Sequence, residues 1–175
     1  MLNTPMRLGE GMIEKSPSLP TGRATAYDPV APFALHLISN PYAVRNALAG
    51  VIEAIADLEL LQEEISTVEL VLAEVLNNIC EHAYPAPDIG GPIRIEGRVG
   101  PDGLHLLIED EGAPMPGGRA PIGHRAVTDV PLSDMPEGGF GWFLIRDLAK
   151  DVRYERKGQV NRLRLRVALA PRRLT

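Results

Sequence analysis

Three short stretches of this 175-residue chain carry residue types and spacings that could do chemistry. The first is Glu74-Val-Leu-Asn-Asn78-Ile-Cys-Glu-His82-Ala-Tyr84. On a helix, residues four apart share a face, so Glu74 and Asn78 can address one object. An amide oxygen such as that of Asn78 can bind a hard cation like Mg2+. The Glu74 carboxylate can orient a nucleophile or take its proton. Taken alone, the pair is also what a solvated helix face carries.

The second stretch is Ile108-Glu-Asp110-Glu-Gly112, which closes an alternating segment. Asp110 shares the parity of Leu104, Leu106 and Ile108, so it projects toward the apolar layer, where a carboxylate needs hydrogen-bond donors. The exocyclic amine of a purine is one such donor, and Gly112 leaves room for a base to approach the backbone. The plainer alternative is an Asp-x-Gly turn after a strand. The third stretch is Glu137-Gly-Gly-Phe-Gly141 running into Trp142-Phe-Leu-Ile-Arg-Asp-Leu-Ala149. Glycines ahead of a helix present backbone amides to an anion, as a phosphate site requires, or else form a flexible hinge. No Gly-x-x-x-x-Gly-Lys-Ser/Thr run is present, which excludes a P-loop. The four histidines and the single Cys80 form no cluster with metal-ligand spacing, so no structural zinc is expected.

These stretches need elements to position them. Phe33 to Ile38 alternates and reads as a strand, and Asn40-Pro41 reads as a helix start leading to about Asp57. A longer helix is expected from Glu63 to Ala83, stopping before Pro85, with Leu72, Leu76, Ile79 and Ala83 as its apolar stripe. Residues 93–99, 104–110 and 161–169 alternate, and 151–157 is a further candidate strand. One buried face and one wet face per strand mark a sheet covered on one side. The fold class is α+β: a two-layer α/β sandwich whose mixed, mostly antiparallel sheet has helices on one face.

Residues 1–31, rich in Pro, Gly, Ser and Thr, read as a flexible N-terminal arm; 32–170 form the domain and 171–175 a short tail. The Pro- and Gly-rich stretch between Glu111 and Gly138 reads as a mobile functional loop. No apolar run approaches the ~18–20 residues of a membrane helix, and no signal peptide is legible. With one cysteine, a reducing cytoplasmic setting and no membrane partner are expected. A net charge of −5 argues against direct nucleic-acid binding. Nine of the Lys and Arg residues nevertheless lie from Lys150 onward, against Asp151 and Glu155 alone. That block serves either a phosphate or acidic partner or a solvated strand face.

The order of the motifs resembles the GHKL (histidine-kinase-like) ATPase superfamily. Glu74 to Tyr84 is similar to the N box of its anti-sigma-factor serine-kinase branch, written Glu-x-x-x-Asn-x-x-x-His-x-Tyr. Asp110-Glu-Gly-Ala-Pro114 resembles the G1 box, Glu137 to Ile145 the G2 box, and Gly158 to Leu165 the closing strand. Pro114 stands where many relatives have a second glycine, which weakens a histidine-kinase reading more than it weakens ATP binding. Trp142 stands where a smaller aliphatic residue is usual, placed to pack on the lid, on the base or in the core.

The resemblance implies ATP and Mg2+ as cofactors. Glu74 would be the general base, Asn78 the Mg2+ holder, and Asp110 the adenine reader with Gly112 beside it. Gly138, Gly139, Phe140 and Gly141 would bracket the phosphates. His82 is placed either to line the pocket or as a structural histidine. The implied activity is a protein serine/threonine kinase acting on an anti-sigma-antagonist protein, with a sigma factor or other client released by partner switching and homodimerisation possible. The alternative is a non-catalytic ATP-dependent switch that sequesters its partner.

Overall fold

The computed structural model describes residues 30–84, 90–121 and 140–170. The described residues form five strands and three α-helices. The strands are β1 (Phe33–Ile38), β2 (Pro92–Gly100), β3 (Gly103–Asp110), β4 (Ala149–Lys157) and β5 (Val160–Val167). They form one sheet in the order β1-β2-β3-β5-β4. Every neighbouring pair is antiparallel, so the parallel component allowed for above is absent among the described residues.

Helix α1 (Pro41–Ala54) begins where Asn40 caps it, accepting a 2.8 Å hydrogen bond from the Ala43 N–H, with Pro41 at the first helical position. It ends at Ala54, three residues short of the expected Asp57; Ile55 leaves helical geometry and, with Leu58, turns into the core. Helix α2 (Gln62–Asn78) starts with Glu63 and Glu64 in its first turn, where carboxylates favour the helix dipole. The Glu64 side chain reaches back to the Leu61 N–H at 2.8 Å and also accepts from the Ala170 N–H at 2.7 Å, tying the end of the domain to this helix start.

The expected helix to Ala83 is α-helical only to Asn78; Ile79–Ala83 form a π-helical turn. Its signature is the Tyr84 N–H bonded to the Ile79 carbonyl at 3.1 Å. Such wide turns recur at functional sites because they re-aim the side chains that follow. Helix α3 (Phe140–Leu148) leads directly into β4.

Val51, Leu72, Leu76, Ile95, Leu104, Ile108 and Ile145 are fully buried between helices and sheet. Trp142 is buried with them, so it packs in the core. Val30, inside the stretch read as an arm, also joins that core. No described helix is long and apolar enough to cross a membrane.

The other sheet face is polar. Arg162 meets Glu109 at 2.6 Å, Arg164 meets Glu155 at 2.7 Å, and Arg166 meets Asp151 at 2.8 Å and Asp102 at 3.2 Å. Three of the seven described Lys and Arg residues of the basic C-terminal block are thus paired across strands, as on a solvated face. Exposed pairs of this kind add little stability.

Candidate functional site

Sheet register explains how the polar inner row arises. Leu37 lies opposite Ile93, Ile93 opposite Asp110, Asp110 opposite Asn161, and Asn161 opposite Arg156. One row across the inner face therefore runs from two apolar residues into a carboxylate, an amide and a guanidinium. The neighbouring row of Leu35, Ile95, Ile108, Leu163 and Tyr154 is apolar until its last member.

Asp110 is 6% exposed. Its Oδ1 accepts from Asn161 Nδ2 at 2.7 Å and from the Gly112 N–H at 2.9 Å. Burial pushes its carboxyl above the ordinary range; the two hydrogen bonds and the Arg156 charge pull the other way. No described residue donates to Oδ2, which leaves an acceptor for a ligand donor.

Tyr84 fastens the site's floor. Its hydroxyl donates to the Pro92 carbonyl at 2.9 Å and accepts from the Glu111 N–H at 2.7 Å. One phenol thus ties the end of the π turn to the start of β2 and the end of β3. Burial holds that phenol above its usual range, the charges of Asp110 and Glu111 add to the shift, and the Glu111 N–H opposes it.

Gly112 allows a close approach within the chain itself. A Cβ there would sit 2.5 Å from the Ala83 carbonyl oxygen and 2.7 Å from the Ala83 Cβ. The Ala113 N–H also bonds that carbonyl at 2.9 Å. The space cleared by Gly112 is therefore filled by this chain's own helix end, joining the second motif to the first.

Gly141 joins the third motif to the first. At the start of α3, a Cβ on Gly141 would collide with the Glu74 carboxylate and lie 3.4 Å from Asn78 Nδ2. Asn78 Nδ2 donates to the Glu74 carbonyl, 2.6 Å away, one turn back. That bond fixes the amide, so Oδ1 is the atom left to face a cation. Glu74 and Asn78 are both part-buried, His82 is exposed on the π turn, and Phe140 is 55% exposed beside the Phe143 ring. Gly138, Gly139 and most of the stretch read as a mobile loop lie outside the described residues.

A cleft of about 1000 Å³ among the described residues runs along β1 and α1. It reaches Asp110 and Glu111 but is not lined by Glu74, Asn78 or Gly141. The site is therefore placed by its convergent polar groups and not by cavity size. No group of three or more His, Cys, Asp and Glu suited to a metal exists among the described residues. A Mg2+ ion fits here only as nucleotide-borne Mg2+ does, with few protein ligands and the phosphates supplying the rest.

Sequence reasoning missed Asn161, Arg156 and Tyr154 as site residues. Asn161 carried the same signal as Asp110, a polar residue at an inward strand position.

Comparison with known proteins supports the fold. The histidine kinase-like ATPase domain family matches residues 37–167. A serine-protein kinase, RsbW of Halalkalibacterium halodurans, is 29% identical over 92 residues. That alignment covers 51% of this chain and 54% of the relative, so the chain spans about half the length of the protein it matches.

Proposed function

From the premise that the chain belongs to the histidine kinase-like ATPase domain family, we propose that it is an ATP-dependent protein serine/threonine kinase of the anti-sigma-factor type. Its substrate on this reading is a small antagonist protein, and a sigma factor or similar client is the partner exchanged. The observation that carries it is the seating of Gly141 against Glu74 and Asn78, which brings the helix pair and the glycine-rich motif to one point. Support also comes from the similarity to a serine-protein kinase.

In this reading Asp110 Oδ2 accepts the adenine amino group. Asn78 Oδ1 would hold Mg2+, which, when bound, offsets charge on the phosphates. Glu74 takes the proton of the acceptor Ser or Thr hydroxyl as its oxygen bonds the γ-phosphorus, and the bond from that phosphorus to the bridging oxygen breaks to leave ADP. Gly141, lacking a side chain, lets α3 approach the Glu74 carboxylate.

Titration with ATP and Mg2+, followed by transfer of labelled phosphate to a candidate antagonist, tests the reading. Wild type should bind and transfer; Glu74→Ala should bind and transfer at least 100-fold more slowly, in line with the roughly 10²–10⁴-fold contribution of a general base. Equal transfer by Glu74→Ala would refute the assigned base. Binding with no transfer by wild type to any antagonist would instead identify a sequestering switch.

A further inference from the structure

The polar row at the end of the sheet holds more than the carboxylate that reads adenine. Asn161 is 3% exposed and every polar atom of its side chain is engaged. Nδ2 donates to Asp110 Oδ1 at 2.7 Å, to the Ala113 carbonyl at 3.0 Å and to the Gly112 carbonyl at 3.3 Å. Oδ1 accepts from Arg156 at 2.6 Å and from the Tyr154 hydroxyl at 2.6 Å. The amide can point only one way, because a flip would set its NH2 against the Arg156 donor. Arg156 also donates to the Gly112 carbonyl at 3.0 Å and to Gln159 at 2.9 Å, so its guanidinium is pinned in turn.

An amide bonded on both sides passes polarisation along the chain of hydrogen bonds. Arg156 draws on the Asn161 oxygen, and the Asn161 N–H becomes a stronger donor to Asp110. Two donors on Oδ1 also fix the plane of the carboxylate. The remaining oxygen, Oδ2, is then an acceptor with one direction. Adenine offers a 6-amino donor, guanine offers an acceptor at position 6, and unsubstituted purine offers neither. Without the relay, a carboxyl this buried drifts toward its neutral form, which can donate as well as accept and so tolerates guanine.

Resting on the ATP-binding reading above, the geometry points to Asn161 as a specificity-determining positioning residue. With Arg156 behind it, Asn161 holds Asp110 as a directed acceptor, and the site selects adenine through that relay. Asp110 alone does not achieve the selection. The relay runs through residues 51 and 5 positions apart in sequence, joined only because β5 lies between β3 and β4.

The test compares a pair of isosteres. Thr at position 161 keeps one donor for Asp110 and an acceptor for Arg156, whereas Val keeps the shape without either. Full-length wild type, Asn161→Thr and Asn161→Val are titrated calorimetrically with ATP, GTP and purine riboside triphosphate in Mg2+, with circular dichroism to establish folding. Wild type should prefer ATP over purine riboside triphosphate by at least ten-fold. Asn161→Thr should keep most of that ratio, and Asn161→Val should reduce it to within about three-fold of unity and bind GTP comparably. A role in folding alone would shift stability without compressing the ratio. Arg156→Met, a change at a less buried position, should compress the ratio in the same direction and serves if Asn161→Val does not fold. Full discrimination retained by a folded Asn161→Val, or by Arg156→Met where Val does not fold, overturns the assignment while leaving ATP binding intact. Wild type that binds no ATP, or that does not separate it from purine riboside triphosphate, overturns the underlying reading as well.

Discussion

At the scale of the residue, the site depends on a few close approaches and one expensive charge. Burial raises the Asp110 carboxyl pKa, so the folded state binds that proton more tightly than the unfolded chain does. Stability of the nucleotide-free protein should therefore fall as pH rises from the ordinary carboxylate value through the raised one. Asp110→Asn should remove that component, leaving the variant at least as stable as wild type at neutral pH while nucleotide affinity drops at least ten-fold. Urea unfolding at a series of pH values, wild type beside variant, measures the difference in slope; a steeper fall in the variant would contradict the sign. Gly112→Ala brings a methyl group against the Ala83 backbone, which cannot yield as a side-chain tip could. A loss of about 1–3 kcal/mol is expected, the range for overpacking, read from the urea midpoint. Gly141→Ala instead meets the movable Glu74 carboxylate, so it should cost activity more than stability. Phosphate-transfer rates compared with melting temperatures would show this split.

Elements carry the site by how they end. Helix α2 gives up α-helical geometry at Asn78, and the π turn delivers Tyr84 to Pro92 and Glu111. Tyr84→Phe removes both bonds and keeps the ring, at an expected cost of about 1–3 kcal/mol, since each net hydrogen bond contributes roughly 0.5–1.5 kcal/mol. The Glu111 amide should then exchange its hydrogen faster, which mass-resolved or NMR hydrogen exchange detects; unchanged protection would mean that the phenol is not the clamp. The helix pattern was legible in the sequence because Leu72, Leu76 and Ile79 repeat at helical spacing. The π turn was not, since widening a turn by one residue leaves the apolar stripe nearly unaltered. Strand parity similarly announced that Asp110 faces inward, but parity along one strand does not say which residue lies beside it.

At the scale of the whole molecule, part of the charge separation seen along the chain is offset in space. Arg162, Arg164 and Arg166 face carboxylates from other strands or turns, so these three cations of the basic block are already paired on the sheet's own wet face. Duplex DNA should accordingly show no binding at about physiological salt, where association relies on unpaired cations displacing counterions. Fluorescence anisotropy with a labelled duplex checks this, and saturable micromolar binding would contradict it.

The sequence by itself determined the element types, the two-layer architecture and the three motifs, because hydrophobic period and glycine placement are local properties. It also held the inward polarity of Asp110. Only the tertiary structure decided what these residues meet. Gly112 yields to Ala83, Gly141 to Glu74, and Asp110 leans on Asn161 and Arg156. Those partners come from elements brought together by strand order and register, which arise from packing the whole apolar face at once. No window of neighbouring residues contains that information.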